Sequence, residues 1–229
     1  MFVQSRVLED EILQFRKQRI NYYKDLDDKK FERFMLFQMI PESFQNYRIP
    51  LFIRERQTHQ SFGAVFSGTN IDSHSFPCVD GLRFISLNGN SEAILYNTGI
   101  SEFFLPLTQY VDSTKDSLFF YNNDVWNHIE YVIQGYQSIM MEMLGNQRYF
   151  GCICIIGCKD VITERNDYGR SHTLIDRNEI ICQPIPFINT EDKASLIIAL
   201  KQLHLEFLLS IGIKRSPKVQ ELIDAISQR

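Results

Sequence analysis

Tyr149-Phe150-Gly151-Cys152-Ile153-Cys154-Ile155-Ile156-Gly157-Cys158-Lys159 is the stretch on which the fold turns. Residues at both alternating positions are apolar, which suits a strand covered on its two faces rather than one lying at a surface. Downstream, Asp160 to Thr173 reads as a polar loop. The chain then returns through Leu174-Ile175-Asp176-Arg177-Asn178-Glu179-Ile180-Ile181-Cys182 as a second buried strand, ending near Pro184 and Pro186. Buried strands framing a charged loop present a candidate surface. Its residues are Lys159, Arg165, Arg170, His172, Asp176 and Arg177.

Upstream of that strand, Trp126, Ile129, Ile133, Tyr136, Met140 and Met143 step by three or four residues, predicting a long amphipathic helix with Gly145 beyond its end. Downstream, Leu196, Leu200, Leu203 and Phe207 predict a second long helix, capped by Asn189 or Thr190 and closed by Gly212. Ser216-Pro217 opens a short last helix. A helix feeding a buried strand argues for helices packed on a sheet.

Earlier in the chain, Leu8, Ile12, Phe15 and Ile20 or Tyr23 place a helix over residues 5–24. Its acids Glu9, Asp10 and Glu11 come early and its bases late, an order that complements the helix dipole. Phe34 to Ile40, stopped by Pro41, reads as a buried strand. Leu51 to Gln60 is ambiguous, and Phe62 to Pro77 reads as irregular. Asn88-Gly89-Asn90 joins strands at Leu82–Leu87 and Ser91–Asn97. Thr98-Gly99 turns into Ile100–Phe104, completing an antiparallel meander, and Ser117–Tyr121 adds a further strand. The expected fold is α+β, a mixed and largely antiparallel sheet with two long helices packed on it and an N-terminal helix. Residues 1–30 read as a helical lead-in and 31–229 as one domain.

With 229 residues, 44% hydrophobic, the chain has ample material for a packed core, as is ordinary for a globular protein. A net charge of −4 excludes a global basic field for nucleic acid. No apolar run reaches the roughly 20 residues that span a bilayer, and Met1 to Arg6 lacks a signal-peptide core. The expectation is a cytosolic protein without membrane attachment. Five cysteines, three crowding one strand, fit reduced thiols better than a disulfide framework.

Cys152, Cys154 and Cys158 share a strand face by period two, but their spacing is not that of zinc knuckles, so they are assigned to packing. His128 and His172 flank the strand without forming a recognisable base for a cysteine nucleophile. Asp160, Glu164, Asp176 and Glu179 are the carboxylates that a metal-dependent nuclease would use, with local ion pairing as the competing account. Arg48, Arg54, Arg56, Lys159, Arg165 and Arg170 with Tyr47, Tyr149 and Tyr168 would form a basic and aromatic patch for single-stranded nucleic acid, diluted by acids. Gly63, Gly68, Gly81, Gly89 and Gly99 make no phosphate-binding G-x-x-x-x-G-K loop. No cofactor or metal is expected, and no catalytic residue is assigned.

Six segments occur in a characteristic order: Phe15-x-x-x-Arg19, Leu36–Pro41, Leu95-Tyr96-Asn97-Thr98-Gly99-Ile100-Ser101-Glu102, the helix Trp126–Leu144, Ile156–Lys159 and Ile175–Asn178. In this order the chain resembles the rear region of prokaryotic proteins that carry a Schlafen-like, Alba-type DNA-binding domain, over about residues 10–215. The front domain of that family has a Glu-x-x-x-x-Glu-Phe-Lys-type helix and a Gly-Gly-rich strand. This chain has neither, so no family catalytic residue carries over. The resemblance implies a non-enzymatic accessory, sensing or interaction module beside a Schlafen-like effector, in regulation or phage defence. Nucleic-acid binding and metal-dependent cleavage are the alternatives.

Overall fold

The structure, a computed structural model, describes residues 2–26, 32–44, 73–86, 91–107, 111–112, 118–120, 122–145, 147–165, 172–188, 192–214 and 216–227. Leu51 to Gln60 and the Asn88-Gly89-Asn90 turn lie outside these residues.

Strand β1 (Phe34–Pro41) is the centre of the larger sheet. It pairs antiparallel with β5 (Ser101–Pro106) on one side and with β8 (Tyr149–Ile156) on the other. Both of its backbone edges are therefore occupied, and all eight of its residues are buried. From β5 the sheet continues through β4 (Glu92–Tyr96) and β3 (Gly81–Ser86), the three-stranded antiparallel meander that the sequence predicts, and then adds β2 (Ser73–Cys78). Beyond β8 the sheet splits. β11 (Glu179–Ile181) pairs with one half of β8 and β12 (Ile185–Phe187) with the other.

The pleat sends alternate residues to opposite faces, and each face has its own cover. Met35, Phe37 and Met39 of β1 meet Ile153 and Ile155 of β8 in the largest cluster. That cluster is closed by helices α2 (Asn122–Leu144), α3 (Lys193–Ser210) and α4 (Pro217–Ser227). Phe34, Leu36 and Ile40 face the other way, with Cys152 and Cys154. They are covered by Ile12, Ile20 and Tyr23 of helix α1 (Phe2–Lys24). The apolar run at Tyr149–Ile156 is thus apolar at every position because helices lie on both of its faces, as the sequence predicts. Fully burying side chains of this size is worth about 1.5–3 kcal/mol each as an upper estimate.

A second, four-stranded sheet has the order β10 (His172–Leu174), β9 (Val161–Arg165), β7 (Leu118–Phe120) and β6 (Val111–Asp112). β7 and β9 are parallel and the other pairs antiparallel. Thr163 Oγ1 donates to Ile211 O at 3.2 Å, tying this sheet to the end of α3.

Several sequence expectations change. The segment from Asp160 to Thr173 is not one polar loop. It contains β9 and the start of β10, and β9 draws its register from β7, more than forty residues earlier in the chain, which no local pattern reveals. The Leu174–Cys182 return is not a buried strand. Only Glu179–Ile181 pairs with β8, and in this edge strand the middle residue alone is buried. Ser73–Cys78, within the region read as irregular, becomes a strand through its pairing with β3. The second long helix is capped by Asp192, whose carboxylate accepts from the amides of Ala194 and Ser195, rather than by Asn189 or Thr190.

Helix α1 begins at Phe2, so Glu9, Asp10 and Glu11 stand in its middle turns, beyond reach of its N-terminal dipole. Arg16 and Arg19 face the sheet instead. Arg16, 1% exposed, donates to Ile153 O at 2.8 Å and to Cys182 O at 3.0 Å. These carbonyls sit where the pairing passes from β11 to β12, so the guanidinium serves backbone groups at the gap in the ladder.

Candidate functional site

Of the residues picked from sequence, Lys159, Asp176 and Arg177 lie just past one end of β8. Gly157 N donates to Asn178 O at 2.8 Å, and Asp160 N to Ile175 O at 2.9 Å, so segments 157–160 and 175–178 run side by side. Lys159, Asp176 and Arg177 are exposed there. Asp176 and Arg177 pair with each other at 3.3 Å, both largely solvated. Arg165 and His172 are register partners across β9 and β10. Their side chains, that of Glu164 and all of Arg170 lie outside what is described.

Two of the four carboxylates considered for metal chemistry have different partners. Glu179 pairs with Lys24 of α1, whereas Asp176 pairs with Arg177. Among the described residues no group of three or more His, Cys, Asp or Glu is placed to hold a metal ion. Tyr149, assigned to the basic and aromatic patch, is 0% exposed and belongs to the core under α2. Strand pleating sent it there; Arg48, Arg54, Arg56, Tyr47 and Tyr168 are outside the described residues.

All five cysteines are free. Cys152 and Cys154 face α1, but Cys158 does not share their face. It lies past the end of β8 in the opposite cluster, because Gly157, at φ 75°, turns the chain. Burial holds the thiols protonated, pushing Cys152 and Cys158 up to about 11 and Cys154 and Cys182 up to about 12. No helix among the described residues is long and apolar enough to cross a membrane.

Under α1 lies a charged network. Glu102 of β5, its side chain 0% exposed, accepts from Arg19 through both oxygens, from Gln38 Nε2 at 2.8 Å and from Tyr23 Oη at 3.0 Å. The Tyr23 hydroxyl stands equally 3.0 Å from Glu92, which Arg83 holds from the far side. Burial would lower the Arg19 pKa, but the hydrogen bond and charge of Glu102 outweigh it and raise it. Burial, then the charges of Glu102 and Glu92, lift the Tyr23 hydroxyl well above its ordinary range. Nearly every donor and acceptor here is matched internally, which is the pattern of a structural tie rather than of a site awaiting a ligand.

The other candidate is a cleft of about 500 Å³ between α2, α3 and α4. Trp126, Asn127 and Glu130 come from α2; Ile197, Leu200, Lys201 and His204 from α3; Lys218, Glu221 and Leu222 from α4. The residues of α2 and α3 recur at spacings of three and four, so each helix offers one stripe to the cleft. The His204 ring stacks on Trp126, with centroids 4.0 Å apart and planes 7° from parallel. His204 is 6% exposed, and its Nε2 is buried without a hydrogen-bond partner among the described residues. Burial, then the positive charge of Lys218, lowers its pKa to about 4, so the ring is neutral at physiological pH. Sequence reading passed over this cleft. The available signals were the lone tryptophan and a histidine set between Leu203 and Leu205. Neither shows that helices separated by some seventy residues converge.

Compared with family models, with curated proteins and with solved structures, the chain finds no match in any of the three.

Proposed function

We propose that this chain is a non-enzymatic sensing or interaction module that holds a small molecule in the cleft between α2, α3 and α4. The observation that carries the reading is the buried, unpaired Nε2 of His204 beside the stacked Trp126. A buried polar atom without a partner costs roughly 1–3 kcal/mol, which a ligand group bonded to it would offset. A cleft of about 500 Å³ is within the size range of small-molecule sites. The non-enzymatic part is supported by chemistry that is damped rather than primed: the buried thiols are protonated, and the imidazole is neutral.

The cytosolic setting and the Schlafen-like effector as partner rest on the ordered motifs. Two of those motifs, Phe15–Arg19 and Leu95–Glu102, touch through Arg19 and Glu102, which supports reading them as parts of one structural unit. We assign the partner-facing surface to Lys159, Arg165, Arg170, His172, Asp176 and Arg177.

Native mass spectrometry of the full chain, after incubation with a deproteinised small-molecule extract, tests the cleft. The expected result is a retained compound, released unchanged on denaturation and lost when Ile197→Trp fills the opening. Release of an altered compound would overturn the non-enzymatic reading, and retention of nothing would overturn the ligand site. Salt-sensitive binding of labelled RNA or DNA, abolished by replacing Arg165 and Arg170 together, would give the exposed surface to nucleic acid instead of a protein.

A further inference from the structure

We infer that the cleft between α2, α3 and α4 takes a zwitterion with an apolar body, the chemistry of an amino acid or short peptide bearing an aliphatic or aromatic side chain. This rests on the reading of the cleft as a ligand site and adds the class of ligand.

The charges lining the cleft are the reason. There are four, two of each sign: Glu130 and Glu221, Lys201 and Lys218. Lys218 and Glu221 answer one another within α4 at 3.2 Å. Glu130 of α2 and Lys201 of α3 remain. Both are half-buried, and among the described residues neither makes an ion pair or hydrogen bond, with the other or with anything else. A carboxylate on one helix and an ammonium on another, each partly withdrawn from water and not joined, suit a ligand carrying both complementary charges. A simple anion would meet Glu130 and Glu221, and a simple cation would meet Lys201 and Lys218. An uncharged ligand would forgo both charge pairings and so bind less tightly.

The rest of the lining is apolar and suits a hydrocarbon side chain. Trp126, Leu200 and Leu222 are buried around the cleft, while Ile197 stays 49% exposed beside them, an apolar side chain that a ligand would cover. The neutral His204 ring completes the aromatic surface, and its unpaired Nε2 offers one hydrogen bond to the ligand backbone. The volume of about 500 Å³ leaves room for more than a single residue.

Trp126 is the only tryptophan of the chain, so intrinsic fluorescence reads this cleft directly. The probes are L-leucine and leucyl-leucine, with N-acetyl-leucine lacking the ammonium and leucinamide lacking the carboxylate. The expected result is a saturable change with the two zwitterions and at least about tenfold weaker binding of each singly charged analogue, the size of one lost charge-assisted hydrogen bond. Glu130→Gln weakens leucine to the level of N-acetyl-leucine, and Lys201→Gln weakens it to the level of leucinamide. Both side chains are half-exposed, so both variants keep the wild-type circular dichroism spectrum. Equal response to all four probes overturns the inference. So does no response to any of them while the native chain retains some other compound, an outcome that leaves the cleft standing as a ligand site. Silence toward the probes and toward the extract removes both.

Discussion

Arg19 and Glu102 form a two-pronged ion pair, Nη2 to Oε1 at 2.8 Å and Nε to each carboxylate oxygen at 3.1 Å. They are 83 residues apart in the chain, one on the first helix and the other on the fifth strand. The arginine is also within 4.4 Å of the Tyr22 ring centroid and 5.2 Å of that of Tyr23, so its flat faces are covered while its edge bonds the acid. The pair fixes the register of α1 on the sheet.

Arg19→Ala leaves the Glu102 carboxylate buried with Tyr23, Gln38 and, at 3.4 Å, Tyr96 as its neutral donors. Removing one partner of a buried pair costs about 3–5 kcal/mol, much of it the stranded charge. Urea unfolding is expected to show that loss, and the double variant Arg19→Ala with Glu102→Gln to recover part of it, since the charge left behind is gone. A loss below about 1 kcal/mol for Arg19→Ala would mean that α1 is held by its apolar face alone.

The buried thiols predict a reactivity order and an alkaline limit. Cys78 is half-exposed, whereas Cys152, Cys154, Cys158 and Cys182 are buried. A thiol reagent at neutral pH is expected to modify Cys78 first and the four others only as the fold opens, read by mass spectrometry. Their folded pKa values are raised above the ordinary 9.0, so the folded state prefers the protonated thiol. That contribution to stability is present in full below about pH 9 and is lost as pH rises through about 11 to 12. Cys154→Ala and Cys182→Ala should each flatten the alkaline limb of a denaturation-midpoint profile.

His204 sets the opposite limit. Its folded pKa of about 4 lies below the ordinary 6.5, first through burial and then through Lys218. The folded state holds the neutral ring, so its contribution is present above pH 6.5 and is lost as pH falls through about 4. His204→Phe keeps the aromatic stack on Trp126 and removes the titration. The variant is expected to lose less stability than wild type between pH 6.5 and 4, measured by chemical denaturation. His128, also lowered by burial, stays in both proteins and cancels in the comparison.

Gly157 ends β8 with a positive φ of 75°, and a Cβ there would stand 2.1 Å from the carbonyl oxygen of Glu32. That contact is backbone and cannot be relieved by a side-chain rotation. Gly157→Ala is therefore expected to cost at least about 1–3 kcal/mol in thermal or urea unfolding. It should also expose Cys158, whose thiol reactivity would rise ahead of that of Cys152.

Much of the fold was legible because its signals are local. The run Tyr149–Ile156 has one burial pattern compatible with its composition, and the steps of Trp126, Ile129 and Ile133 permit one helix face. The meander followed from Thr98-Gly99 and the flanking apolar pairs. Ser216-Pro217 opened the last helix where expected, with the Ser216 hydroxyl accepting from Val219 N. The α+β class follows from such elements because helix and strand periodicities differ and each buries its own face. The second sheet was hidden because Val161–Arg165 has a polar neighbourhood and pairs with a strand far away in sequence.

The sequence by itself determined which residues are apolar, at what period, and where the chain must turn; these choices decide element types within one segment. Only the tertiary structure decided which polar residues meet. Arg19, Gln38, Glu92 and Glu102 lie on four elements, and a charged residue in a helix pattern reads as solvated until a sheet is laid beneath it. Trp126, Lys201 and His204 become a cleft for the same reason. Periodicity reports the face a residue occupies, whereas a site requires two faces to arrive at the same place, and that is settled by packing across the whole chain.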